Sequence, residues 1–238
     1  MKKGNLITEN VNNDGIDRRG FLKCMAWAGT GAYCVLQGGV LKSFALEDPA
    51  LRDAEKTKDE LAFVQISDSH IGFEKAANTD VVGTLRQAIA KINALPTPPA
   101  FVLHTGDVSQ LSRAAQFDTA RQVLKEIDTD RIFYVPGEHD VLDDNGAGFR
   151  ARFAKDTFGD GWYSFDSGGA HFIGLVNVMN LRAGGLGHLG GEQIEWLRKD
   201  VRQISSSTPI VVFAHIPLWS VYPDWGWATS EARKRWLI

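Results

Sequence analysis

From Ala62 onward the chain alternates short apolar runs with stretches of helical period. Ala62-Phe63-Val64-Gln65-Ile66, Ala100-Phe101-Val102-Leu103-His104, Arg131 to Val135 and Pro209 to Ala214 read as strands. Asp80 to Leu95 places Val81, Val82, Leu85, Ala88, Ile89 and Ile92 on one face, which predicts a helix ended by Pro96, Pro98 and Pro99. Arg113 to Ile127, Phe149 to Phe158 and Gly191 to Ile204 read as further helices, the last with Ile194, Leu197, Val201 and Ile204 inward; another helical pattern starts near Thr229. Trp162 to Phe165 and His171 to Val178 read as strands joined by the turn residues Asp166-Ser167-Gly168-Gly169. Nearly continuous apolar strands separated by amphipathic helices predict an α/β fold with a buried sheet.

The first sixty residues break this rhythm. Asp17-Arg18-Arg19-Gly20-Phe21-Leu22-Lys23 is followed by eighteen uncharged residues, Cys24 to Leu41, then Lys42 and the Ser43-Phe44-Ala45 triplet with small residues at its ends. This pattern predicts a twin-arginine signal over residues 1–45, cut after Ala45, and a polar linker over residues 46–60. The expected partner is the twin-arginine export machinery, and the expected location is the periplasm or another exported site. Gly29, Gly31, Gly38 and Gly39 keep the run only mildly apolar, which suits a cleaved leader better than a permanent membrane span. Both cysteines fall within it, so the cut protein is expected to hold no thiolate metal site.

Composition adds little until it meets the polar clusters. A chain of 238 residues, 44% hydrophobic and 23% charged, is long enough for one sizeable core. With a net charge of −3 and no basic stripe, no nucleic-acid-binding surface is expected. A phosphate-bearing substrate would therefore need a local positive charge, and a metal ion would supply one.

The polar clusters sit at strand ends. Asp68 and His70 follow the first strand, Asp107 the second, Glu138-His139-Asp140 the third, and His215 the strand from Pro209 to Ala214. In α/β sheets, sites assemble at the carboxyl edge. Carboxylates and imidazoles without thiolates suit Mn, Fe, Zn or Co. Two such ions held ~3.5–4 Å apart would clamp a phosphate and activate a water. His104, inside its apolar strand, reads as a satisfied core histidine rather than a ligand, and His171 as structural.

Asp68-Ser69-His70, Gly106-Asp107, Gly137-Glu138-His139-Asp140 and Ala214-His215 resemble, in order, the motif blocks of the calcineurin-like metallophosphoesterase family. The resemblance covers residues 61–238 and implies a layered β-sandwich flanked by helices, with a phosphoester substrate and two divalent or trivalent metal ions. It implies that Asp68 and His70 bind the first metal, that Asp107 bridges, and that Glu138 and His215 bind the second. His139 would not bind metal but would stabilise or protonate the leaving oxygen while Asp140 orients its ring, and a metal-bound hydroxide would attack a phosphomonoester or phosphodiester. Two departures stand out. Glu138 occupies the place where the family usually has Asn; it is expected to ligate all the same, adding a negative charge. No histidine follows His215, so the family's closing Gly-His-x-His block is expected to be missing, with its strands, from a C-terminally incomplete domain. The alternative reading is then an impaired remnant that binds metal or phosphate only.

Overall fold

The alternation after Ala62 organises the computed structural model, which describes residues 31–46, 48, 51, 61–129, 131–181, 187–219 and 228–229. Among the described residues eight strands form two sheets, with a mixed α/β architecture consistent with a sandwich. The first sheet has the order β2-β1-β3-β4-β5, and the second β6-β7-β8. The strands are β1 (Ala32–Gln37), β2 (Val40–Ala45), β3 (Leu61–Ile66), β4 (Val102–His104), β5 (Ile132–Tyr134), β6 (Tyr163–Ser167), β7 (Ala170–Gly174) and β8 (Ile210–Phe213). The helices are α1 (Val81–Asn93), α2 (Ala114–Leu124), α3 (Ala147–Phe153) and α4 (Gly191–Val201).

Strands β3, β4 and β5 run parallel, with Ile66 beside His104 and His104 beside Tyr134. Their carboxyl ends therefore lie level along one edge. α1 begins where the Asp80 side chain accepts the Gly83 amide at 2.8 Å, and it buries Leu85, Ala88, Ile89 and Ile92, four of the six residues expected on its inner face. With Phe117, Ala120, Val123 and Leu124 of α2 and Phe149 of α3, these pack against one face of the first sheet. The other face meets the second sheet through an aromatic layer. Phe63 stacks on Phe101, Phe172 meets both edge-on, and Phe133 stacks on Phe165 with centroids 3.7 Å apart. Rings of this size dominate the apolar area a core removes from water, so this layer is the main bond between the sheets.

Three differences from the sequence reading have local causes. The third helix runs from Ala147 to Phe153, not from Phe149 to Phe158. It starts after Gly146 in the left-handed region (φ 75°), and Asp156 at φ 56° with Gly159 at φ 46° cannot continue a right-handed helix. The strand expected over residues 171–178 pairs only to Gly174, although everything to Val178 is buried.

The third difference concerns the amino-terminal segment. Ala32 to Ala45, the latter part of the expected leader, forms a hairpin turning at Gly38-Gly39 (φ 56° and 80°), and β1 pairs antiparallel with β3. Two residues with positive φ between paired strands make the tight turn that glycine allows. Within this hairpin Cys34 is buried and free. The twin-arginine motif itself, and nearly all of the expected linker, lie outside the described residues, as does all but Thr229 of the helix expected from there on.

Candidate metal centre

The loops after β3 and β4 are zipped together by their backbones. The amides of Asp68, His70 and Ile71 donate to the carbonyls of Gly106, Asp107 and Val108 at 2.9, 2.9 and 3.0 Å. This pairing holds Asp68 (φ 58°), His70 (φ 41°) and Asp107 (φ 51°) in the left-handed region, which costs each residue backbone energy. Strain gathered on three polar neighbours is a mark of a built site. Two glycines allow the close approach. A Cβ on Gly106 would fall 2.6 Å from His215 Nδ1, and one on Gly137 would overlap the Asp107 carboxylate.

Asp107 lies at the centre and is almost wholly buried. Its Oδ2 is 3.4 Å from His70 Nε2 and 3.6 Å from His215 Nε2, while its Oδ1 accepts the His139 amide at 2.9 Å. Asp68 Oδ1 is 3.6 Å from His70 Nε2, and Glu138 Oε2 is 2.8 Å from His215 Nε2. Potential ligand atoms of Asp68, Asp107 and His215 lie within 4.8 Å of one another, as do those of His70, Asp107 and His139. Four loops thus bring the six side chains Asp68, His70, Asp107, Glu138, His139 and His215 to one place.

The electrostatics identify what is missing between them. His215 Nδ1 donates to the Thr105 carbonyl at 2.8 Å, so in the neutral ring Nε2 presents a lone pair. It faces a buried Glu138 oxygen at 2.8 Å. Two lone pairs at that distance repel unless a positive charge joins them. In the metal-free chain that charge is a proton. Burial pulls the His215 pKa down, but the Glu138 contact and the Asp107 and Glu138 charges outweigh it and push it to about 9. Burial pushes Asp107 the other way, to about 6, against the pull of His215. A cation would serve both groups, so the residues present fit a metal held by oxygen and imidazole donors.

Asp140 does something other than orient the ring of His139. Its buried carboxylate accepts the amides of Val108, Ser109 and Gly137 at 3.0, 2.8 and 3.0 Å and the Ser109 hydroxyl at 2.9 Å. It therefore staples the turn Glu138–Asp140 to the Asp107 loop. The His139 ring is met instead by Gln110, which the sequence reading passed over because a glutamine beyond Gly-Asp carries no periodic signal. His104 is buried among core residues, and its pKa is lowered by burial to about 4; its Nε2 lies 3.0 Å from the Ser69 hydroxyl. That neutral histidine supports the Asp68–His70 loop from beneath.

A cavity of about 230 Å³ opens beside Asp68 and His70, walled by Phe73, Val81, Leu85 and Ala88. The larger cleft, about 760 Å³ along β5 and β6, touches none of the six side chains. Nothing in the described residues bears on the expectation that the closing histidine block is missing.

Comparison with known proteins adds an independent line. A family model described as calcineurin-like phosphoesterase matches residues 61–236. A serine/threonine-protein phosphatase CPPED1 from Bos taurus is 28% identical over 207 residues, covering 79% of this chain and 64% of that protein. A probable glycerophosphodiester phosphodiesterase GpdQ from Arcobacter nitrofigilis is 24% identical over 167 residues, covering 65% of this chain and 57% of its own. The chain thus spans less than two thirds of the length of these relatives. A solved purple acid phosphatase, PPD1 from yellow lupin, superposes with a TM-score of 0.49 at 18% identity, over 67% of this chain and 33% of that one.

Proposed function

Because the chain belongs to the calcineurin-like phosphoesterase family, we propose that it is a metal-dependent hydrolase of a phosphomonoester or phosphodiester, working through a dinuclear centre. Asp68 and His70 would hold one ion, Glu138 and His215 the other, and Asp107 both. Bound ions would supply Lewis acidity toward the phosphoryl oxygens and acidify a water. The observation that carries this reading is the pair of facing lone-pair donors, Glu138 Oε2 and His215 Nε2 at 2.8 Å, beside the shared Asp107 carboxylate.

The chain's own residues would do the rest. Asp107, buried and held through Oδ1 by the His139 amide, keeps Oδ2 turned toward both histidines. His139 would donate a proton to the leaving oxygen, its ring fixed edge-on against His70 at a centroid separation of 4.9 Å. Asp140 would hold His139 in place only through the backbone of the turn. The cavity beside Asp68 has room for a small ester group on apolar walls.

The test is purified protein loaded with Mn, Fe, Zn or Co, with metal content counted by mass spectrometry and turnover followed on p-nitrophenyl phosphate and its bis ester. About two ions per chain with turnover that a chelator abolishes is the expected result. Bound metal without turnover on any ester would leave a metal-binding domain in its place.

We also propose export by the twin-arginine pathway, on the Arg18-Arg19 motif and the uncharged run behind it. Amino-terminal sequencing of the exported protein tests it. A cut after Ala45 would remove β1 and β2 from the sheet, so a new terminus at Leu46 would require β3 to stand without its antiparallel neighbour.

A further inference from the structure

We infer that Gln110 is the positioning residue of His139, acting through its main-chain carbonyl and its side-chain amide together. The inference rests on reading His139 as the proton donor to the leaving oxygen. His139 Nδ1 lies 2.7 Å from the Gln110 carbonyl oxygen, and the Gln110 amide group approaches the same nitrogen at 3.3 Å. Only a protonated Nδ1 can donate to a carbonyl, so Gln110 selects the Nδ1–H tautomer and leaves Nε2 as the nitrogen that exchanges protons. Asp140, the nearest carboxylate in sequence, has both oxygens occupied by four other donors and cannot take this part.

The Gln110 backbone is itself fixed, since its main-chain N–H donates to the Ile71 carbonyl at 3.0 Å. The side-chain Oε1 is buried and meets no donor among the described residues. Because a protonated Nδ1 cannot also accept from the side-chain nitrogen, hydrogen bonding turns the carboxamide over and sets its oxygen against Nδ1–H. The Nδ1 proton then has two neutral acceptors. The proton balance follows. As the phosphorus–oxygen bond breaks, its electron pair stays on the leaving oxygen, and that oxygen takes the Nε2 proton of the imidazolium. What remains is the neutral Nδ1–H ring that Gln110 already holds. A neutral partner steadies the ring without pinning the positive charge on it, as a carboxylate would.

Leaving groups separate this role from a merely structural one. p-Nitrophenolate departs without a proton, whereas an alkoxide does not, so butyl phosphate needs the donor and p-nitrophenyl phosphate does not. Gln110→Leu is expected to lower kcat on butyl phosphate by about tenfold or more, within the range general acids supply. On p-nitrophenyl phosphate kcat should stay within about twofold, with KM little changed on either ester. Gln110→Glu keeps an oxygen acceptor but pins the positive charge on the ring, so it should hold the Nδ1–H form while kcat on butyl phosphate stays below that of the wild type. Nitrogen-15 spectra of the metal-free wild type should show His139 as the Nδ1–H tautomer, and Gln110→Leu, left with the main-chain carbonyl alone, should show a smaller share of it. Equal slowing of both esters, an unchanged tautomer, or loss of bound metal in Gln110→Leu would each overturn the inference. If the wild type hydrolyses neither ester, the phosphoesterase reading fails instead, and the tautomer spectra alone decide whether Gln110 holds the ring.

Discussion

In the five-stranded sheet, β3 and β4 are buried at every position except Gln65, whereas β8 of the three-stranded sheet leaves Ile210 44% and Val212 41% exposed. α1 and α2 cover the first sheet with full apolar stripes, while α4 buries only Gln193, whose amide bonds Val176 and Leu189. The candidate centre inherits this difference. Five of its six side chains, Asp68, His70, Asp107, Glu138 and His139, follow strands of the first sheet, and His215 alone follows the second. The buried strands β3 and β4, with their neighbour β5, set a nearly complete cradle, and the half-exposed strand β8 delivers the last donor. Two kinds of contact carry that delivery: the aromatic layer and the hydrogen bond from His215 to Thr105.

The comparison can be broken most severely at its centre. Asp107→Asn keeps an oxygen for the His139 amide but removes the shared charge. Turnover should fall by about 10³-fold, at the top of what one preorganised electrostatic group supplies. The metal-free protein should melt no lower than wild type, because burial already disfavours that carboxylate. A clear loss of stability together with retained turnover would show that Asp107 serves the fold alone.

His215→Ala tests the second sheet's single contribution. The expectation is about 10²-fold less turnover, with one ion fewer per chain and with Asp68 and His70 still able to hold the other. Unchanged metal content would remove His215 from the centre.

Glu138→Asn sharpens the comparison within the first sheet. Removing one negative charge should weaken metal affinity by roughly tenfold while leaving turnover at saturating metal equal or higher, since a less negative centre repels an anionic ester less. Calorimetric titration beside kinetics gives both readings, and equal values of both for variant and wild type would contradict a ligand role.

The smallest effect concerns the second sheet's own fastening. His171 is held between Asp166 and Asp200 at 2.7 and 2.9 Å, which ties β7 to β6 and to α4. Burial pulls its pKa down, but the bonds to Asp200 and Asp166 outweigh burial and raise it above the ordinary value. A raised folded pKa stabilises fully below the unfolded histidine value, about 6.5, and the gain is lost as pH rises through the folded pKa. His171→Gln should therefore cost about 1 kcal/mol below pH 6 and less in alkali, with Asp166 largely solvated and contributing little. Melting curves whose difference does not change with pH would rule out the charged form.

Much of this molecule was legible from periodicity. An apolar run followed by Asp-x-His or Gly-Asp places donors at a strand's carboxyl end, because the strand must stay dry and its end must not. The hairpin at Gly38-Gly39 was not read from the chain, whose uncharged, glycine-bearing run suggested an export leader instead. Composition alone does not separate the two, since only pairing with β3 gives Tyr33, Cys34 and Leu36 a buried place. The α4 stripe was misleading in the other direction. Ile194, Leu197, Val201 and Ile204 have the helical spacing of a core face, but they are only partly covered among the described residues.

By itself the sequence determined most of the elements from Ala62 onward and which donor types stand at their ends, because both depend on neighbours within a turn or two of the chain. The tertiary structure alone decided whom each donor meets. Thr105 takes the His215 proton across 110 residues, Gln110 takes that of His139 across 29, and Asp140 spends itself on a loop 31 and 32 residues away. Such partners are fixed by sheet order and by the packing of one sheet on another, and no local pattern of polar and apolar positions encodes a hydrogen bond over that distance.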